Sequence, residues 1–380
     1  MPRSATHDLL ILGAGCAGLS LANELIRRDS KLRVLLLEQR TEYHNDRTWC
    51  FWAPPQHAYG HCVSARWPSW RFSQGLERHD LSSAQGLQYQ CIPAANFYAD
   101  SRSKLKTQTA IELALGHSVR SLESKEDGVL VRCDDSEFYA PWAIDTRPQP
   151  PASQPYAQHF IGLELVAEQD CFADDLAGVM EDMACDEYGF RFNYVLPFSP
   201  RHVLLEATRF GRHVPKDALE RDLQALLRAR LQNTAFRELR REQGMIPMQV
   251  AAPAETAGRL LQAGLAGGAA RASTGYAFLR IQHWAARCAE QLLTKQRPIA
   301  QPPDPRWRRW VDQLFLRVIE QYPERAPAFF MAMAGGVASD TLLRFLSDEG
   351  RPQDFMKVAA ALPKAPFLRA LPAAMGASRA

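Results

Sequence analysis

The sequence predicts an α/β fold of mixed α+β character: a Rossmann-like nucleotide-binding domain, a β-sheet region and a helical C-terminal region. Three observations carry that prediction. The apolar run Leu9 to Leu12 enters the glycine turn Gly13-Ala-Gly-Cys-Ala-Gly18 and is followed by apolar residues at helical spacing. Residues 156–210 read as strands punctuated by turn residues, and the chain beyond Leu293 reads mainly as helix. At 380 residues the chain can form one large or two closely joined domains with a substantial core. Its 46% hydrophobic and 23% charged residues match folded globular proteins and exclude a disordered chain or a fibre.

Taken in order, Leu9 to Leu12 is a strand, and Leu19, Ala22, Leu25 and Ile26 mark one face of a helix. Val34 to Leu37 is a second buried strand closed by Glu38, so residues 9–38 form one right-handed parallel βαβ unit. From Arg40 to about Trp70, aromatic residues crowd among Pro54, Pro55 and Pro68, which forbid a long helix; the stretch reads as loops packed near a site. Further strands are expected at 111–119, 128–133 and 138–145, followed by a stiff proline-rich domain crossing at 147–155. Phe190 to Phe198 and His202 to Phe210 flank the turn Ser199-Pro200-Arg201 as a hairpin. Leu219, Leu223, Leu226, Leu227 and Leu231 share a helix face, which an arginine-rich surface continues to Arg241. A second glycine cluster, Gly264-Leu-Ala-Gly-Gly268, leads through Ser273-Thr274-Gly275 into a helix from Tyr276 to about Leu293.

The spacing of Gly13, Gly15 and Gly18 between a strand and a helix is a dinucleotide fingerprint. The first glycine permits the tight turn, the second lets a pyrophosphate approach the backbone, and the third lets helix and strand pack. Glu38, twenty residues past the third glycine, is placed to accept hydrogen bonds from adenosine ribose hydroxyls. FAD and NAD share this pattern. Its place at the start of the chain and the second glycine cluster some 250 residues later point toward FAD. No second Gly-x-Gly-x-x-Gly exists, so NAD(P)H would bind transiently or act through a partner.

Other constellations are less decisive. Glu206 lies in the mostly apolar run Val203-Leu-Leu-Glu-Ala-Thr208. It either faces water, pairing with Arg209 or Arg191, or sits desolvated, where its raised pKa would suit a general acid. His57-x-x-x-His61-Cys62 has helical metal spacing, but Gly60 interrupts it and no further ligand cluster is evident, so no metal is expected. The acidic run Glu181, Asp182, Asp186 and Glu187 reads as a solvated loop. Residues 307–318 form an aromatic, basic, amphipathic helix suited either to core packing or to a membrane interface. A net charge of +3 is too balanced to signal a nucleic-acid binder. The absence of an apolar run of about 18 residues argues against a membrane span. Eight scattered cysteines without Cys-x-x-Cys, and a start unlike a signal peptide, indicate reduced thiols and a cytoplasmic location.

Five segments together resemble the bacterial lycopene β-cyclase family: Gly13 to Gly18, Asp46-Arg-Thr-Trp-Cys-Phe-Trp52, Tyr194-Val-Leu-Pro-Phe-Ser-Pro200, Leu204-Leu-Glu-Ala-Thr208, and Ala266 to Phe278. The resemblance implies a flavoprotein fold with an inserted β-sheet substrate domain. On that basis residues 1–85, 103–147 and 250–293 form the FAD-binding domain, 86–102 and 148–249 the substrate domain, and 294–380 the helical C-terminal region. It places the essential acid on Glu206, the cofactor against Gly13, Gly15, Gly18, Glu38, Arg47, Gly267, Gly268, Thr274 and Gly275, and the polyene among Trp49, Phe51, Trp52, Phe192 and Tyr194. It implies reduced FAD with NAD(P)H as reductant, lycopene and other acyclic carotenoids as substrates, and peripheral contact with a membrane surface. Two departures stand out: Leu204 replaces the family's phenylalanine, and Ala207 stands where many members carry a second acid.

Overall fold

The computed structural model describes residues 6–148, 154–248, 258–347 and 349–377, with side chains to 371. The first domain is a five-stranded parallel sheet in the order Leu260–Gln262, Ala143–Asp145, Leu9–Leu12, Val34–Glu38, Ile111–Leu115. Strand alternation sends Leu9 and Ile11 to the helical face and Leu10 and Leu12 to the other. Helices Cys16–Arg27 and Phe278–Lys295 pack on the first face, joined by a Gln282 Nε2 to Ser20 Oγ bond of 2.8 Å. The second face is sealed by an antiparallel three-stranded meander whose Val129, Val131 and Ala140 meet Leu10 and Leu12.

The second domain is a seven-stranded sheet ordered Phe236–Pro247, Ala157–Ala167, His202–Gly211, Gly189–Pro197, Leu176–Asp186, Ser69–Gln74, Glu77–Ser82. One face, with Ile161, Leu163, Leu165, Val203 and Leu205, is covered by helix Lys216–Leu231. On the other face Phe190, Phe192, Leu196, Leu204 and Phe210 join the core formed with the C-terminal helices. A small sheet, in which Gln88–Pro93 lies between Thr48–Ala53 and Ala65–Trp67, bridges the domains.

Several expectations need correction. The stretch after Arg40 is not loop throughout: Thr48–Ala53, Ala65–Trp67 and the start of Ser69–Gln74 are strands, because prolines lie between the strands and leave every ladder intact. Ser69–Gln74 pairs with Leu176–Asp186, so part of the segment 1–85 belongs to the second sheet. Conversely, helix Ala94–Lys106, inside the expected substrate segment 86–102, buries Phe97 and Leu105 in the first domain's core. The strands expected at 111–119 and 138–145 are each divided between two sheets, at Gly116 with φ of +78° and at Pro141. The helix after Leu219 ends at Leu231, where Gln232 takes φ of +46°, and residues 236–247 become an edge strand. Most of the proline-rich crossing, 149–153, and the start of the 250–293 segment lie outside the described residues.

The stripe at 307–318 is mainly core. Leu314, Phe315 and Val318 are buried, and Phe315 lies edge-on to Phe330, while Trp307 remains 41% exposed against Phe355. Among the described residues no helix is long and apolar enough to cross a membrane.

Candidate active site

The fingerprint turn forms one wall of a crevice of about 470 Å³, whose lining includes Gly13, Gly15, Glu38, Arg47, Trp49 and Gly264. Gly13 takes φ of +91°, and a Cβ on Gly18 would lie 2.2 Å from the Gly13 carbonyl oxygen. Gly15 instead faces open space, and helix Cys16–Arg27 starts beside it without a side-chain cap. Unpartnered N–H groups and the positive helix end therefore point at the crevice, where a pyrophosphate fits. Glu38 is already engaged: it accepts from Ala14 N–H at 2.8 Å and from Arg40 Nε at 3.0 Å. Burial alone would raise its pKa, but these donors hold the carboxyl below its ordinary value. Its expected contact with the ribose thus competes with Arg40. Gly267 and Gly268 shape the second glycine turn rather than the described crevice wall; Gly268 has φ of +83°. Thr274 and Gly275 sit against the second sheet, with the Thr274 carbonyl accepting from Gln158 Nε2 at 3.3 Å.

Glu206 does not turn toward Arg209 or Arg191. On its sheet face stand Leu204, Thr208 and Phe210, whereas Arg209 points to the opposite side and pairs with Asp222 and Asp186. Tyr194 is its direct neighbour on the adjoining strand. Thr208 Oγ1 donates to Glu206 Oε1 at 2.9 Å. Burial, reinforced by the negative charge of Glu242, pushes the Glu206 carboxyl up to about 8, against the lowering effects of Thr208 and Arg240. It is therefore protonated at neutral pH, in a position to release that proton.

The predicted aromatic set is divided by strand Thr48–Ala53. Cys50 and Trp52 face the second domain, and Trp52 meets Tyr276 and Tyr89 at ring distances of 5.5 and 4.7 Å. Trp49 and Phe51 face the first domain, where Phe51 stacks on Phe278 at 4.9 Å. Phe192 is buried beneath Tyr194 at 5.4 Å. Tyr194 and Tyr276 are hydrogen-bonded, and burial raises both hydroxyl pKa values. The start of this strand links the crevice to the second sheet: Trp49 and the preceding Arg47 line the crevice, while Thr48 Oγ1 between them donates to Glu242 Oε2 at 3.1 Å.

Glu242, Arg240, Glu164 and Tyr276 were missed by sequence reasoning. Arg240 donates to Glu242 and, through Nε, to Glu164 at 3.0 Å. Gly244 and Pro247 carried a usable signal, since both disfavour a helix running through this segment. His57 turns to Gln90 at 2.9 Å and does not join His61. His61, Cys62 and Asp100 do gather within 4.8 Å, but Lys104 Nζ already sits 2.6 Å from Asp100. The acidic run is strand rather than solvated loop in part: Glu181 is buried and pairs with Arg230 at 2.5 Å.

Parallel sheet, fingerprint turn and second sheet define the class: an α/β protein whose fold is shared with flavoproteins. The chain belongs to the lycopene cyclase protein family, whose pattern it matches over residues 8–372. It is 25% identical to a lycopene beta-cyclase of Pantoea ananas over 98% of this chain and 99% of that protein. To a lycopene beta-cyclase of Paracoccus sp. it is 28% identical, over 65% of this chain and 62% of the relative's length. Among solved structures, a geranylgeranyl bacteriochlorophyll reductase-like protein from Thermoplasma acidophilum superimposes with TM-score 0.62 at 12% identity, covering 96% and 98% of the two chains. The halogenase PltM in complex with phloroglucinol and FAD gives TM-score 0.51 at 13% identity, covering 90% and 79%.

Proposed function

We propose that the protein is a lycopene β-cyclase, converting the acyclic ψ ends of lycopene into β rings, through γ-carotene to β-carotene, without net redox change. One observation carries the reading: Glu206 is held protonated near neutral pH on a sheet face where Leu204, Phe210, Phe192 and Tyr194 stand beside it. A proton passes from the Glu206 carboxyl to C2 of a terminal alkene, leaving positive charge at C1. C1 closes onto C6, the charge moves to C5, and loss of the C6 proton restores a double bond as the β ring. Trp52, Phe192 and Tyr194 exclude water and set aromatic faces toward the cation.

The crevice fits FAD by its open Gly15 and uncapped helix start, with Gly13, Gly15 and Arg47 about the pyrophosphate and Gly18 holding the helix close against the turn. Reduced FAD, when bound, supplies negative charge that favours a nearby cation, and NAD(P)H serves only to reduce it. The greasy substrate implies peripheral membrane contact, for which exposed Trp307 and Met356, beside Phe355, are the preferred surface. Anaerobic incubation with lycopene in liposomes, FAD and NADPH tests the function. A product of unchanged mass with a β-ring absorption spectrum supports it. A product two hydrogens heavier would identify a reductase on the same scaffold, and an oxygenated product formed only when air is admitted to a parallel incubation would identify a hydroxylase.

A further inference from the structure

Four residues stand in one row across the second sheet: Glu242, Gly162, Glu206 and Tyr194, each opposite the next in antiparallel register. Strands lie about 4.8 Å apart, so Glu242 and Glu206 are separated by a full intervening strand, about 10 Å at the backbone. Their side chains can meet only if the residue between them has none. Gly162 meets that condition, and Glu242 fills the space: a Cβ on Gly162 would come 3.0 Å from Glu242 Cγ and 3.4 Å from its Oε1.

Resting on the cyclase reading above, we propose that Glu242 is a positioning residue that shares one proton with Glu206 across Gly162. The pair, rather than Glu206 alone, then stores the proton that cyclisation lends and recovers. The space left open at Gly162 brings the Glu242 side chain toward Glu206, whose proton its negative charge helps to hold. Two ionised carboxylates are acceptors only and repel, so a pair brought together in this way favours holding one proton between them. The surroundings decide which carboxyl holds it. Glu242 receives Arg240 and Thr48 as donors, whereas among the described residues Glu206 receives only Thr208. Glu242 is therefore the anionic member and Glu206 the protonated one.

The stoichiometry suits the reaction. C2 gains one proton, the C1–C6 bond forms, C6 loses one proton, and no electron changes hands. A pair holding one proton is returned to its starting state after each ring, ready for the second end of the polyene. The charged and titratable groups facing the pair are Arg240, backed by Glu164 and His202, with Tyr194 from the adjoining strand and Cys91 from the bridging sheet. From the other side Tyr276 and Cys50 face Tyr194. Arg240 is the cation that keeps the pair from taking up a second proton.

The test compares wild type with Glu242→Gln and Gly162→Ala by the pH dependence of cyclisation and by infrared titration of the protonated carboxyl stretch in substrate-free protein. Glu242→Gln removes the neighbouring negative charge, and Gly162→Ala pushes Glu242 aside while leaving its charge. Both should move the alkaline limb and the Glu206 infrared midpoint down by at least about one pH unit. Glu242→Asp should restore part of the shift. Lower activity with unmoved midpoints in both variants would assign Glu242 to structure alone and overturn the proposal. If the wild type fails to cyclise lycopene at all, the function falls instead, while the infrared midpoints still decide whether the proton is shared.

Discussion

Glu206 and Tyr194 face each other in register on neighbouring antiparallel strands, the carboxyl beside a phenol that is itself hydrogen-bonded to Tyr276. An acid in that setting is neutral below about 8 and charged above it. Cyclisation should therefore hold its rate through neutral pH and decline as pH rises through about 8. Glu206→Gln should lose at least about 100-fold in turnover while retaining FAD, since the crevice is built from other residues. Turnover measured with bound-flavin absorbance checks both halves; a variant that keeps its rate removes Glu206 from the chemistry.

The same carboxyl links stability to pH. The folded state raises the Glu206 pKa from 4.5 to about 8, so between those values the native protein binds a proton that the unfolded chain has lost. Stability then falls as pH rises across that window and levels off above it. Glu206→Gln, permanently neutral, should be more stable than wild type at pH about 9, on the order of 2–5 kcal/mol, and gain little at pH about 5. Urea midpoints at the two pH values provide the comparison.

The first domain was the more legible in the sequence because its signals are local. Leu9 to Leu12 is buried on both faces, and the glycine turn follows at once, so no distant residue is needed to interpret either. The acid motif at Leu204 to Thr208 was legible for the same reason. What surrounds it was not. Glu242 lies far along the chain and reaches Glu206 only because the edge strand Phe236–Pro247 pairs with Ala157–Ala167. Its charged stretch reads in sequence as a continuation of the preceding helix, although Gln232 terminates that helix at a positive φ. The aromatic run after Arg40 likewise reads in sequence as loops about one site. Alternation along Thr48–Ala53 sends Trp49 and Phe51 one way and Trp52 the other, which only the strand assignment reveals.

Two glycines of the fingerprint should respond differently to alanine. At Gly18 the new methyl would lie 2.2 Å from the Gly13 carbonyl oxygen, forcing helix and turn apart. Stability should drop by about 1–3 kcal/mol and flavin binding should weaken with it. At Gly15 nothing lies within 4 Å of the new methyl and φ is −83°, which alanine adopts readily. Gly15→Ala should leave the melting temperature of the flavin-free protein unchanged yet lower flavin affinity at least about tenfold, because the methyl occupies the phosphate approach. Equal destabilisation in both variants would contradict this division of roles.

The C-terminal helices are fastened to the second glycine segment by a buried ion pair. Arg271 and Asp312 are 1% and 2% exposed in their side chains, and the guanidinium reaches Asp312 through Nε at 3.1 Å and Nη2 at 3.0 Å. Ser273 Oγ adds a 2.9 Å bond to Asp312, and Arg271 also donates to the Phe345 carbonyl. Asp312→Ala strands a desolvated guanidinium and should cost about 3–5 kcal/mol. The double variant Arg271→Met with Asp312→Leu removes both charges and should recover much of that loss. Because Arg271 lies between Gly268 and Thr274, the single variant should also loosen the glycine segment and release bound flavin more readily. Urea unfolding followed by flavin fluorescence reads both effects in one titration. If the single and double variants unfold at the same midpoint, the penalty comes from lost packing rather than from an abandoned charge.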